Sequence, residues 1–93
     1  DLSPLSDLTD LTDLSLERNL ITDLSPLSNL TNLEMLHLSH NQIRDIKPLV
    51  DNVGFCERNI VYLYDNPLSD ASIEVYISQL EERGVRVISA PEL

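Results

Sequence analysis

The apolar positions of the chain form a pattern that repeats every 22 residues. Residues 8–27 and residues 30–49 align in this register without a gap. The aligned pairs are Leu8 with Leu30, Leu11 with Leu33, Leu14 with Leu36, Leu16 with Leu38, Asn19 with Asn41, Ile21 with Ile43, Asp23 with Asp45, Leu24 with Ile46, Pro26 with Pro48 and Leu27 with Leu49. The opening DLSPLSD returns as DLSPLSN at residues 23–29, so we expect the chain to begin inside a repeat.

The register breaks after Leu49 and returns three residues late, where Val61, Leu63 and Asn66 take up the pattern again. Residues 50–59 are therefore predicted to hold a short insertion. We expect a single domain over residues 1–93. Its parts are regular repeats in 1–49, the inserted loop in 50–59, and the last repeat with a terminal unit in 60–93.

The segments LTDLTDLSLERNLITDLSPL and LTNLEMLHLSHNQIRDIKPL resemble leucine-rich repeats of the 22-residue bacterial type, as in internalins. The resemblance implies an α/β fold, a right-handed solenoid with a short parallel sheet on its concave face and a 3-10 or irregular convex side. Each LxL pair would lie on a strand. The asparagine that follows would satisfy backbone groups of the turn, and a proline would begin the convex return. The residues concerned are Asn19, Asn41 and Asn66, and Pro4, Pro26 and Pro48.

The last third of the chain changes from the repeat pattern to a helix followed by a strand. We expect Ser69 or Asp70 to cap the start of the helix and Gly84 to end it in a left-handed conformation. The periodicity places Ile73, Ile77 and Leu80 on the buried face with Tyr76 beside them, and Glu74, Glu81, Glu82 and Arg83 on the outer face. The final strand is expected to contain Val85, Val87 and Ile88.

This terminal stretch, with the insertion before it, resembles the closing unit of many bacterial leucine-rich repeat proteins, which implies a C-terminal capping helix. No comparable unit precedes the first leucines of the chain. We therefore expect the chain to be the end of a longer array and these side chains to face water or a preceding repeat: Leu2, Leu5, Leu8, Leu11 and Leu14.

The side chains that flank the inward leucines are expected to point to the concave surface, because neighbours on a strand alternate between its two sides. Three rows across the strands follow from the register. The first row is Asp13, Met35 and Ile60; the second is Ser15, His37 and Tyr62, with Arg86 as a candidate fourth member; the third is Glu17, Ser39 and Tyr64, with Arg18, His40 and Asp65 at the rim.

These mixed polar and aromatic rows are typical of a protein-binding face, since tyrosine gives a large contact area at low entropic cost. The resemblance points the same way, because leucine-rich repeat domains commonly recognise proteins through this face. We interpret the chain as a protein–protein interaction module that binds an unidentified protein partner. The expected contact residues are Tyr62, Tyr64, His37, Glu17, Arg18 and Met35. A structural alternative is that the segment only closes a longer array and has no ligand site of its own.

Metal chemistry is the weaker interpretation of the remaining polar residues. His37 and His40 could form a site with Glu17 and Asp65, but residues three apart on a strand point to opposite faces unless a turn begins. The repeated aspartates Asp23, Asp45 and Asp70 suggest calcium less than they suggest caps of local turns. We expect no metal and no cofactor.

Catalysis has little support in the sequence. The chain has only 2 glycines, with no phosphate-binding loop and no nucleophile elbow. Cys56 could be drawn as a nucleophile with His37 or His40 as its base. The neighbouring carboxylate of Glu57 is expected to raise the pKa of the thiol, which disfavours reactivity. The chain is therefore not expected to be an enzyme.

Charge narrows the classes of partner. Six Lys and Arg against 16 Asp and Glu give a net charge of −10, which would repel nucleic acid and anionic lipid. The apolar runs are too short for membrane insertion. The resemblance implies a bacterial source and favours a secreted or surface-attached parent, whereas the lone Cys56 leaves a cytoplasmic location open. The residues leave the oligomeric state open as well.

Overall fold

The computed structural model describes residues 2–89, apart from the side chain of Ser3. Asp1 and residues 90–93 of the expected domain lie outside the described residues. Strands β1 (Asp13–Ser15), β2 (Met35–His37), β3 (Ile60–Tyr62) and β4 (Arg86–Ile88) form one parallel sheet in chain order. The other elements are 3-10 turns at Ser3–Leu5 and Ser25–Leu27, helix α1 (Lys47–Asp51), and a π-helical turn at Ser72–Tyr76 that continues into helix α2 (Ile77–Glu82).

The register of the sheet follows the repeat. The central residues of the four strands pair in the order Leu14, Leu36, Val61 and Val87, and they face the core. The row assignment of Arg86 was wrong: Arg86 pairs with Ile60 in the first row, and Ile88 pairs with Tyr62 in the second. The reason is that β4 begins at Arg86, so Val87 takes the inward position. Val85 is buried just before the strand.

The inserted loop is part of the core. Helix α1 extends into it as far as Asp51, and beyond the helix Asn52, Phe55 and Asn59 are all buried. The Phe55 ring packs with the leucines of the regular repeats. The loop therefore contributes side chains to the apolar interior.

The apolar end next to β1 is only partly open to solvent. Leu8 is exposed, as expected. Leu20 is more exposed still, at 78%. The expectation was wrong for Leu2, which is buried against the core. Leu5, Leu11 and Leu14 are partly buried and pack on the same core.

Aspartates stabilise the turns of the convex side, as expected for Asp23 and Asp45. Asp23 Oδ1 accepts hydrogen bonds from the Ser25 N–H (2.9 Å) and the Ser25 hydroxyl (2.6 Å). Asp45 Oδ1 accepts one from the Lys47 N–H (2.9 Å). The hydroxyl and the N–H of Ser25 hold the pKa of Asp23 below its ordinary value. Each aspartate thus precedes a proline-containing turn, Ser25–Leu27 or α1.

The terminal helix begins and ends as the sequence predicts. The Ser72 N–H donates to Ser69 Oγ (3.1 Å), and Gly84 ends the helix with φ +88°. The expected inner face was wrong at Ile73, which is 52% exposed, while Ser72 is fully buried. The π-helical turn changes the phase of the helix. The Ser72 hydroxyl donates to the Arg44 carbonyl (2.8 Å) and accepts from the Ile46 N–H (3.1 Å).

The expectation that Arg83 lies on the outer face of the helix was also wrong, because its side chain turns inward. Its guanidinium donates to three carbonyl oxygens of the inserted loop and the end of α1: Nη1 to Val50 (2.7 Å), Nη2 to Asn52 (2.5 Å) and Nε to Phe55 (3.2 Å). Glu74, Glu81 and Glu82 are exposed, as expected. Arg83 therefore joins the terminal helix to the inserted loop.

We expect Arg83→Ala to lower the free energy of unfolding by about 2 kcal/mol, since three charge-assisted hydrogen bonds are lost and water replaces them only in part. Urea denaturation followed by circular dichroism measures the change. The control is Glu82→Ala, one residue earlier and exposed, for which a change within about 0.5 kcal/mol is expected. Equal effects of the two substitutions would show that the guanidinium contacts do not stabilise the loop.

Candidate functional site

A sharp turn at the same position of each repeat supports the surface that the strands present. Arg18, His40 and Asp65 have φ values of 62°, 60° and 59°, a region that residues other than glycine enter rarely. In each repeat the asparagine of the turn follows directly. Its amide supplies hydrogen bonds to backbone groups that the reversal leaves unpaired.

The expected asparagine ladder is confirmed. Asn41 Nδ2 donates to the carbonyl oxygens of Leu16 (3.0 Å), Leu38 (2.9 Å) and Ser39 (3.3 Å), and its Oδ1 accepts from the Ile21 N–H (3.1 Å). Asn66 makes the same contacts one repeat later. Its Nδ2 donates to the carbonyl oxygens of Leu38 and Leu63, and its Oδ1 accepts from the Ile43 N–H. Asn19 makes the corresponding bonds within its own turn, to Leu16 and Glu17, and is exposed. Each inner asparagine therefore connects its repeat to the preceding one.

The sequence did not reveal a second group of asparagine bonds near the starts of the strands. Asn32 donates to the Thr9 carbonyl, Asn52 to those of Leu27 and Leu30, and Asn59 to that of Leu33. Asn52 and Asn59 lie in the insertion, outside the repeat register, so no periodic signal marks them. Asn32 and Asn59 join neighbouring repeats just before the strands begin, and Asn52 joins the inserted loop to the turn at Ser25–Leu27 and the residues after it.

Four aromatic rings pair across the strands on the concave surface. The His37 and Tyr62 rings are stacked, with centroids 4.4 Å apart and an interplanar angle of 4°. The His40 and Tyr64 rings meet edge to face at 5.4 Å and 88°. His40 Nδ1 also lies 2.9 Å from Asp65 Oδ2. All four rings are half-buried, so each has a fixed neighbour and an accessible part.

The structure brings some of the predicted contact residues together and leaves others apart. Tyr62 pairs with His37, and Met35 lies in the adjacent first row, half-buried beside Ile60. Tyr64 pairs with His40, which the sequence placed only at the rim. Glu17 and Arg18 are exposed beyond the end of β1. The half-buried Ile88, next to Tyr62 in the second row, was missed because the row was extended to Arg86.

Ser39 differs most from its expected place. It is 1% exposed, although its row was expected to face solvent. Its hydroxyl is the buried side-chain polar atom that finds no hydrogen-bond partner among residues 2–89. A small side chain between larger ones is easily covered, and the sequence contained no signal for that.

The pKa of the Cys56 thiol shifts in the direction opposite to the expected one. The Arg58 backbone and guanidinium hydrogen bonds hold the pKa of the thiol below its ordinary value, and they outweigh the opposing charge of Glu57. Within the described part of the chain, no three His, Cys, Asp or Glu side chains are placed to hold a metal ion. No helix among residues 2–89 is long and apolar enough to cross a membrane.

Comparisons with known proteins agree with this geometry. A family model described as Leucine Rich repeats (2 copies) matches residues 9–51. Among solved structures, an internalin C2 from Listeria monocytogenes is similar, with a TM-score of 0.74 and 34% sequence identity over 98% of this chain and 37% of that one. An internalin (inlF) from the same organism has a TM-score of 0.75 and 30% identity over 97% of this chain and 25% of that one. The chain thus spans less than half the length of either. No curated protein sequence matches significantly.

Proposed function

We propose that this chain, a bacterial leucine-rich repeat protein of the internalin-like type, binds a partner protein through its concave strand face. The repeat fold is, in general, that of a protein-interaction module. The aromatic pairs His37 with Tyr62 and His40 with Tyr64 are the observation on which the proposal rests.

Paired rings suit binding because their rotamers are already fixed. A side chain held by stacking loses little conformational entropy when a partner covers it, so more of its contact energy appears as affinity. The half-buried Met35, Ile60 and Ile88 add apolar surface beside the rings. The exposed Glu17 and Arg18 would give the polar rim that surrounds the apolar centre of most interfaces.

The closing role is the second candidate, and the terminal unit favours it. Leu80 of α2 and Phe55 of the inserted loop are buried in the core at this end of the solenoid. A repeat array needs such an end to cover its last apolar layer. Under this alternative the concave residues of this segment would contact no partner.

A photo-crosslinking amino acid at position 15, next to His37 in the second row, would identify the partner in extracts and surface fractions. The same group at position 53, on the inserted loop and 86% exposed, is the control. With the identified partner purified, we expect Tyr62→Ala to weaken binding by at least about tenfold, as is typical of a central tyrosine. Calorimetric titration measures the affinity, and thermal unfolding checks that each variant is folded.

Two results would contradict the concave-face proposal. One is that positions 15 and 53 crosslink the same proteins to the same extent. The other is that Tyr62→Ala leaves the affinity within about twofold of the original, a difference too small for a central contact. Either result favours the closing role.

A further inference from the structure

The first row of the concave face carries opposite charges at its two ends. The strand register sets one residue of each strand side by side: Asp13, Met35, Ile60 and Arg86. Asp13 at the β1 end and Arg86 at the β4 end are exposed, whereas the two apolar side chains between them are half-buried. Each of the four flanks an inward residue, so all share the concave side. The row therefore runs from a negative end over an apolar centre to a positive end.

The apolar centre of this row continues into the second row. Met35 and His37 lie two apart on β2, and Ile60 and Tyr62 lie two apart on β3, so each pair points to the same side of the sheet. The His37 and Tyr62 rings stack on each other across the two strands. A partner segment above the first row would thus lie beside the ring pair on which the concave-face proposal rests.

The other charges near β2 and β3 oppose each other. Glu34 directly precedes β2, Arg58 lies two residues before β3, and both side chains are exposed. The Glu34 carboxylate attracts the Arg58 guanidinium, so this pair adds little net charge to the surface. Arg86 also has an interaction within the chain, and the five donors of a guanidinium allow it to bind a partner carboxylate as well. The charge difference along the row therefore comes from Asp13 and Arg86.

We propose that the first row binds an extended segment of the partner protein, with a basic side chain at the Asp13 end, an apolar one in the middle and an acidic one at the Arg86 end. Opposite charges that face each other across an interface give direction and specificity more than affinity. The row would thus set the orientation of the segment, while the apolar centre and the rings supply contact area. The inference rests on the concave face being the binding face.

The length of the row favours an extended segment over a helix. Neighbouring strands are about 4.8 Å apart, so the two ends of the row are about 14 Å apart. In an extended chain, side chains four residues apart point to the same side and are separated by about 13 Å. A helix brings side chains to one face at about 10 Å or about 16 Å, for residues seven or eleven apart. A basic and an acidic residue four apart, with an apolar residue midway, therefore match the row.

The test is a nuclear magnetic resonance titration of the whole chain with three blocked pentapeptides that share a Thr-Leu-Thr centre. One has Lys at its first and Glu at its last position, one has Lys at both, and one has Glu at both. We expect amide shifts centred on residues 13, 35, 60 and 86, and binding of the mixed peptide about threefold tighter than either of the others, as two exposed ion pairs allow. The net charge of −10 would by itself favour the peptide with two lysines, so the preference separates directed pairing from general attraction.

Arg86→Glu should change the preference, because both ends of the row are then negative. We expect this variant to bind the peptide with two lysines more tightly than the mixed peptide. The control is Arg44→Glu, which makes the same change in charge at an exposed residue outside the sheet and should keep the original preference. Replacing the central leucine of the mixed peptide by serine should weaken its binding to the original chain, since the apolar contact is lost. Thermal unfolding checks that both variants are folded.

Three results would overturn the proposal. The first is that the original chain binds the peptide with two lysines most tightly, and the second is that Arg86→Glu and Arg44→Glu have the same preference. The third is that none of the peptides shifts the first-row amides at millimolar concentration. A Tyr62-dependent partner found by crosslinking from position 15 would still support the concave face in each case, so the two proposals fail separately.

Discussion

Replacing Asn41 by alanine is expected to lower the free energy of unfolding by about 4 kcal/mol, one of the two largest effects that we predict for a single substitution in this chain. Its amide makes hydrogen bonds to the carbonyls of Leu16, Leu38 and Ser39 and from the Ile21 N–H. Asn41 is 7% exposed, so water cannot easily replace these partners. The substitution would leave the Ile21 N–H without its acceptor, remove one of the donors to each of the three carbonyls, and loosen the contact between two repeats.

The matched control is Asn19→Ala, the same substitution at the equivalent position of the preceding repeat. Asn19 is exposed, and its bonds stay within its own turn, so a loss of less than about 1 kcal/mol is expected. Urea denaturation at low temperature compares the two, because an effect of this size approaches the whole stability of a small domain. Similar losses at both positions would mean that burial of the ladder does not determine its contribution.

Gly54→Ala is expected to destabilise the chain by about 3 kcal/mol or more, through a backbone clash. A Cβ atom at Gly54 would lie 2.1 Å from the Thr31 carbonyl oxygen and 2.7 Å from the Thr31 Cα and carbonyl carbon. These are backbone atoms of the neighbouring repeat, so no side-chain rotation relieves the contact. The inserted loop would have to move away from residue 31, which would disturb the buried Phe55 and Asn52.

Val53→Ala is the control for Gly54→Ala, because Val53 is adjacent in the chain and 86% exposed. We expect its unfolding free energy to stay within about 0.5 kcal/mol of the original. Hydrogen exchange at the amide of Phe55, which donates to the Asn52 carbonyl, gives a local measure of the same effect. Unchanged exchange and stability in Gly54→Ala would show that the loop does not pack against Thr31.

The repeat register predicted the pairing of the strands well because every regular repeat packs its inward residues against those of its neighbours in the same way. Leu14, Leu36 and Val61 must face inward for the layers to stack, and the residues on either side then face outward. The register became unreliable at β4, where Arg86 lies in the first row and Ile88 takes the second-row place that Arg86 was expected to fill. No 22-residue copy ends there, so the phase of the last strand depends on where the terminal helix stops.

The terminal helix shows a second limit of periodicity. The assignment of Ile73 to the buried face assumed 3.6 residues per turn, and the π-helical turn at Ser72–Tyr76 breaks that assumption. The same periodicity assigned Arg83 to the outer face, together with Glu81 and Glu82. Its inward place is explained by three carbonyls of the loop, at residues 50, 52 and 55, which only the folded chain brings to one point.

The candidate site, like the fold, was predicted only in part from the sequence. Sequence alternation placed His37, Tyr62 and Tyr64 on one surface, since strand geometry requires it. The ring pairs depend on the spacing between neighbouring strands and on side-chain rotamers, which no pattern of residue types records. The buried, unpartnered hydroxyl of Ser39 has the same origin, because its neighbours in space determine its exposure.

The repeat was predictable from the sequence, and the resemblance that its motifs carry added the parallel sheet, the asparagine ladder and the proline-initiated turns. Each depends on local geometry and on apolar spacing repeated along the chain. The folded chain was needed to reveal the packing of Phe55 and Gly54, the inward turn of Arg83, the phase of β4 and the pairing of the rings. These features join segments more than 20 residues apart without a repeated pattern, and their physical cause is the close packing of parts that meet only after folding.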